Sequence, residues 1–222
     1  MKKRLVLLLG VLVAAMSVHG QVTFPVNGTQ DDRPELYALT HATIYVDYQT
    51  KLEDATLVIE KGRVKAVGTN VTVPAGAVTY DLKGYTIYPS FVELYGSYGV
   101  PEPERAPFNW GDPPQYETNT EGPYNWNQAI RSQYSAAENF TVDTKAAGTW
   151  RGLGFGTVLT HHPDGISRGS GALVTLGEGR PHEQVLIENA AHFLSFDKGT
   201  SRQAYPSSLM GSIALIDRKS VV

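Results

Sequence analysis

The chain of 222 residues contains no cysteine, which excludes disulfide cross-links, thiolate nucleophiles and thiolate metal sites. It has no basic excess either. Its 19 Lys and Arg stand against 22 Asp and Glu, so composition offers no footprint for nucleic acid and no charged tail. Nor does it contain the run of about 20 apolar residues that a membrane-spanning helix needs. The one sustained apolar run, Leu5 to Ala15, is shorter than that. It follows Lys2, Lys3 and Arg4 and exits through Val18-His19-Gly20. That order of parts is a secretory signal peptide over residues 1–20, cleaved before Gln21. The expectation is an exported protein, periplasmic or secreted, with no membrane span in its mature chain.

From Leu36 to Pro89 the signals are strand and turn. Thr43 to Val46 and Thr56 to Glu60 are β-rich runs, and Lys61-Gly62 supplies a two-residue hairpin turn, since Gly62 tolerates φ > 0. Val64 and Ala66 alternate with Arg63 and Lys65, the period of a half-buried strand. Val71–Val73, Val78–Asp81 and Tyr85–Tyr88 continue the series between Pro74 and Lys83-Gly84. Short antiparallel strands at this spacing predict a β-sandwich-like unit over residues 36–89.

Residues 100–127 carry prolines at 101, 103, 107, 113, 114 and 123, which exclude long helices and central strands. Phe108, Trp110, Tyr116, Tyr124 and Trp126 make the stretch too aromatic for a disordered linker, so an ordered excursion is expected. Helices are predicted over Ala129–Asn139 and Val142–Leu153, the second capped by Thr141. Gly154–Thr160, Leu173–Leu176 and Val185–Ile187 read as strands, with a turn before Phe193, and Gly165–Gly171 as a flexible turn. Helix followed by strand, after a β-unit, predicts an α/β domain.

The series Val58-Ile59-Glu60-Lys61-Gly62-Arg63-Val64-Lys65-Ala66-Val67-Gly68, Val73-Pro74-Ala75-Gly76-Ala77, Asp81-Leu82-Lys83-Gly84 and Pro89-Ser90-Phe91-Val92-Glu93-Leu94 resembles the entry segment of the amidohydrolase superfamily. Gly152 to Thr160 resembles that family's second barrel strand. The resemblance implies an α/β chain in two parts. An N-terminal β-sandwich-like composite unit is followed, over residues 90–216, by the first part of a metal-dependent-hydrolase-type (β/α) barrel. It also implies metal-assisted hydrolysis of non-peptide carbon–nitrogen bonds in a small-molecule substrate, with a zinc-like divalent metal as cofactor.

In that family the first barrel strand ends in His-x-His, two imidazoles on one side of the strand that hold the cation. The corresponding positions here are Tyr95 and Ser97, which are poor replacements for neutral imidazole. The metal motif is therefore degenerate, and this segment is expected to bind no metal and to be inactive alone. Glu93 stands where the family has Asp and is expected to keep a structural hydrogen bond. His161, His162 and Asp164, at the end of a barrel strand, are the remaining ligand candidates. Adjacent residues on a strand point to opposite faces, so at most one of the two histidines looks inward, and with no third ligand apparent the expectation for them is a polar strand end in solvent. His41, His182 and His192 are isolated and read as packing or surface residues.

A barrel of this type takes about 250 residues, more than follow Glu93, so the chain reads as the N-terminal portion of a longer protein. A helix over Ser207–Ile216 is expected to break into Asp217–Val222. That tail can be back-translated as GATCGGAAGAGCGTCGTG, which resembles a common sequencing-library adapter, and residues 217–222 are taken as non-native. Two rival functions follow. The chain could be a non-catalytic binding or scaffold half supporting a downstream catalytic module, or Trp110, Tyr116 and Trp126 could form a carbohydrate platform.

Overall fold

The structure is a computed structural model that describes residues 34–105, 107, 109, 111–121 and 126–220. The leader at residues 1–20 lies outside the described residues, as does Trp110. Two compact units divide at Ile87/Tyr88.

The first unit is a mixed sheet. β1 (Leu36–Tyr45) pairs antiparallel with β2 (Lys51–Glu60), which pairs antiparallel with β3 (Arg63–Gly68). Lys61 and Gly62 both take positive φ (51° and 71°), the backbone that a two-residue hairpin requires. β4 (Val78–Asp81) and β5 (Thr86–Ile87) then pair parallel with β1, where an all-antiparallel unit is expected from the sequence. Parallel pairing needs a crossover from β3, and residues 69–77 provide it, so Val71–Val73 forms no strand. Alternation along β1 buries Ala42 and Ile44 against Ala55, with Leu52, Leu57, Val67, Leu82 and Ile87 packed around them.

The second unit is a four-stranded sheet in the order β6-β7-β8-β9. β6 (Phe91–Gly96) and β7 (Phe155–Thr160) are parallel, joined through helices α1 (Ala136–Asn139) and α2 (Thr144–Gly152). This is the one parallel strand pair described in the second unit's sheet. β8 (Ser167–Thr175) and β9 (Val185–Leu194) follow antiparallel, with the short α3 (Pro181–Gln184) between them. β9 runs through Phe193 without the expected turn. One face of the sheet buries Val158, Ala172 and Val174 against Phe140, Ala147 and Tyr98.

Further expectations for this unit are corrected. The helix expected over 129–139 is reduced to Ala136–Asn139, because its first half bonds to β8 instead of to itself: Arg131 N donates to Ser167 O at 2.8 Å and Ser170 N to Tyr134 O at 2.9 Å. α2 is capped by Asp143, whose carboxylate accepts from Lys145 N and Ala146 N, and not by Thr141. Ser167–Gly171 is the first half of β8, not a flexible turn. Its Gly169 takes φ +77°, and a Cβ there would collide with the Tyr134 carbonyl oxygen.

The final helix, α4, spans Leu209–Ser220 and continues past Ile216 where a break is expected. Leu215 anchors it against Ala129, Ile130 and Ile166. Described residues of the 100–127 excursion form no helix or strand. Their backbone is pinned to residues 202–204: Arg202 Nη2 donates to Pro107 O at 2.7 Å, and Ala204 N to Gln115 O at 2.7 Å.

Candidate functional site

β7 ends at Thr160, and the four residues that follow turn down into the second unit. His161, His162 and Asp164 are all buried, the first only 2% exposed, so the expected solvent-facing strand end is not found. The two imidazoles diverge. His161 stacks on Phe193 of β9, ring centroids 3.9 Å apart and planes 8° from parallel, with the Tyr95 ring 4.5 Å away. His162 stacks on Tyr134 at 4.5 Å.

Each ring meets a guanidinium. Arg168 Nη1 lies 3.4 Å from His161 Nε2, and Arg131 Nη1 lies 3.1 Å from His162 Nε2. Arginine can only donate, so both Nε2 atoms offer their lone pairs and both protons sit on Nδ1. Those Nδ1 atoms are buried with no hydrogen-bond partner among the described residues. Burial, reinforced by the Arg168 charge, lowers the His161 pKa to about 4. Burial and then the Arg131 charge lower that of His162. Both rings are neutral at neutral pH.

Asp164 is fully committed. Its Oδ2 accepts from Arg131 Nη2 at 2.5 Å and from Thr200 Oγ1 at 2.6 Å, while Oδ1 accepts from Thr200 N at 2.6 Å. Gly199 allows that approach: it takes φ +65°, and a side chain there would overlap the Asp164 carboxylate. A cavity of about 410 Å³, lined by Gln128, Arg131, Tyr134, Ser135, Thr200 and Ser201 among others, opens on the Arg131 side.

Tyr95 and Ser97 do not converge. β6 ends at Gly96, so Ser97 lies beyond the strand and is exposed. The Tyr95 hydroxyl accepts from Arg168 Nη1 at 2.6 Å. Glu93 keeps a local bond, its Oε1 accepting from Tyr95 N at 2.9 Å.

These residues do not fit a divalent metal. Both imidazole lone pairs face arginines, the carboxylate holds a third set of donors, and two fixed cations would repel another. Among the described residues no group of three or more His, Asp or Glu could hold a metal ion.

Arg131, Arg168 and Thr200 were not singled out from the sequence. Arg168 sits inside the glycine-rich Gly165–Gly171 segment, where its charge was the available signal. Of the aromatic candidates, Tyr116 is exposed, while the guanidinium of Arg218 lies 6.0 Å from the Trp126 ring centroid and covers that face. His41 is exposed beside Asp81, with Nδ1 3.0 Å from Oδ1; His182 is exposed, and His192 Nε2 lies 3.1 Å from Ser167 Oγ.

No family model and no curated protein matches the sequence. Among solved structures, the crystal structure of an amidohydrolase from Thermotoga maritima is similar over 83% of this chain, with a TM-score of 0.58 and 18% identity. A prolidase complexed with N-methylphosphonate-L-proline overlaps 55% of this chain and 25% of its own at 17% identity, but a TM-score of 0.31 defines no shared fold. The chain spans 46% of the length of the Thermotoga protein. The likeness is one of fold: this chain is α/β with mixed sheets, as is consistent with an amidohydrolase-like fold.

Proposed function

We propose that this is an exported, amidohydrolase-like protein whose residues 36–89 form the β-sandwich-like composite unit and whose residues 90–216 begin a (β/α) barrel. The family reaction, metal-assisted hydrolysis of non-peptide carbon–nitrogen bonds in small molecules, is the activity proposed for a complete protein of this kind. The segment itself is proposed to be inactive. One observation carries that reading: His161, His162 and Asp164, the ligand candidates at the strand end, are already spent on Arg168, Arg131 and Thr200. No step through a metal follows from such a set. The test is turnover of amide, lactam and cyclic imide substrates by the purified chain with zinc, nickel or manganese added. The expected rate equals the protein-free rate. Metal-dependent turnover would overturn the reading.

A specific observation also favours the scaffold alternative. β6 and β9 are the two edges of their sheet, and Phe91, Leu94, Ile187 and Leu194 along them are exposed. Apolar edge strands are what a half-barrel would offer to further strands of a catalytic module.

A further inference from the structure

The strand-end cluster holds two guanidiniums and one carboxylate. Arg131 is matched by Asp164 at 2.5 Å. Arg168 is only 8% exposed, yet among the described residues it has no carboxylate partner. Its Nε donates to Gly165 O at 3.1 Å, and its Nη1 to the Tyr95 hydroxyl and to His161 Nε2. All three acceptors are neutral. Nη2 has no hydrogen-bond partner among the described residues and is not a sealed, unsatisfied atom. A buried charge without a counter-charge is costly. A guanidinium keeps its charge, so the cost is not relieved by loss of a proton.

The geometry points to a small-anion site at Arg168, one that takes a carboxylate or phosphate oxygen on the free Nη2 edge. The inference deepens the reading of an inactive metal site: where the family resemblance expects imidazoles around a cation, Tyr95 and His161 instead surround a fixed positive charge of the chain's own. A ligand for that place must be negative. The N–H groups left over are the two on Nη2, and they suit an oxygen of a carboxylate or a phosphate. Tyr95, whose hydroxyl contacts Nη1, is itself exposed, so the guanidinium lies next to solvent-facing surface.

The test is an NMR titration of the arginine Nε–Hε signals of the full chain with inorganic phosphate, and separately with acetate, at constant ionic strength set by chloride. The Arg168 signal is identified by its loss in Arg168→Lys. The expected result is a saturating shift of that signal, with no other arginine Nε–Hε signal following it and with the backbone amides of its neighbours Tyr95 and Gly165 moving at the same midpoint. Lysine, a point charge in place of the guanidinium, should weaken binding by roughly tenfold, read from those two backbone amides. Tyr95→Phe frees one Nη1–H, which can then join Nη2 as a second, parallel donor to the anion, and should lower the phosphate midpoint. A linear, non-saturating drift like that of exposed Arg63, or an unchanged midpoint in Tyr95→Phe, overturns the site. Neither result touches the reading that the chain lacks a hydrolytic metal site. Metal-dependent turnover, or a tightly held stoichiometric metal, contradicts that reading.

Discussion

Nη1 of Arg131 lies 3.1 Å from Nε2 of His162, and that contact decides what the histidine can do. The lone pair that would bind a cation faces a donor instead, and the second ring nitrogen carries the proton. The same arrangement recurs 3.4 Å from Arg168 at His161. Two histidines next to each other in sequence thus act as neutral acceptors for two different arginines.

The neutral state has a pH signature. His161 is held near pKa 4 by burial and by Arg168, against 6.5 when unfolded, so between these values the unfolded chain binds the extra proton. Stability contributed here is complete above about pH 6.5 and is lost as pH falls toward 4. Thermal melts should therefore shift downward over that window, and His161→Phe should flatten the dependence. A melting temperature independent of pH between 4 and 6.5 would contradict the assignment.

Asp164→Asn leaves Arg131 without its counter-charge. Breaking a buried pair costs about 3 kcal/mol, and the partly exposed Arg131 puts this case at the lower end of the range. Native-state hydrogen exchange should report lost protection at Thr200, Gly165 and Ile166. Unchanged protection there would mean that the carboxylate is not holding these two loops together.

Gly169→Ala tests whether the start of β8 is built or loose. The new methyl meets the Tyr134 carbonyl, at a positive φ that side chains rarely adopt, for a cost of about 2 kcal/mol or more. Gly62→Ala also sits at positive φ but meets nothing within 4 Å, and should cost only about 1 kcal/mol. Equal effects in chemical denaturation would restore the flexible-turn reading.

Much of the frame was legible because it follows local rules. The Lys61-Gly62 hairpin, β7 and most of α2 come from turn chemistry and periodicity. What failed depended on partners distant in sequence. The helix predicted from Ala129 yields to backbone bonds with Ser167 and Ser170, and β8 opens through glycines that look mobile until Ala129 and Tyr134 are seen against them. The site divided the same way. His161, His162 and Asp164 could be picked out by residue type and strand position. Their partners could not, since Arg131 is 31 residues from His162 and Thr200 is 36 from Asp164. The rule that only one of two adjacent strand residues faces inward did not apply, because β7 ends at Thr160 and both histidines are buried beyond it.

Restoring the family pattern with Tyr95→His and Ser97→His should not restore a metal site. Position 95 faces Arg168, and position 97 lies past the end of β6, so the new imidazoles do not converge on a shared point with His161. The expected outcome is at most weak zinc binding, about millimolar, and no turnover of amide, lactam or cyclic imide substrates. Micromolar, stoichiometric zinc in isothermal calorimetry would show that the strand end can rearrange.

The most direct test is the metal content of the unmodified chain. Elemental analysis after purification with zinc, nickel and manganese supplied should find no stoichiometric transition metal, because the candidate ligands are bound to Arg131, Arg168 and Thr200. About one tightly held metal per chain, lost on substitution of His161 or His162, would contradict the account at its centre.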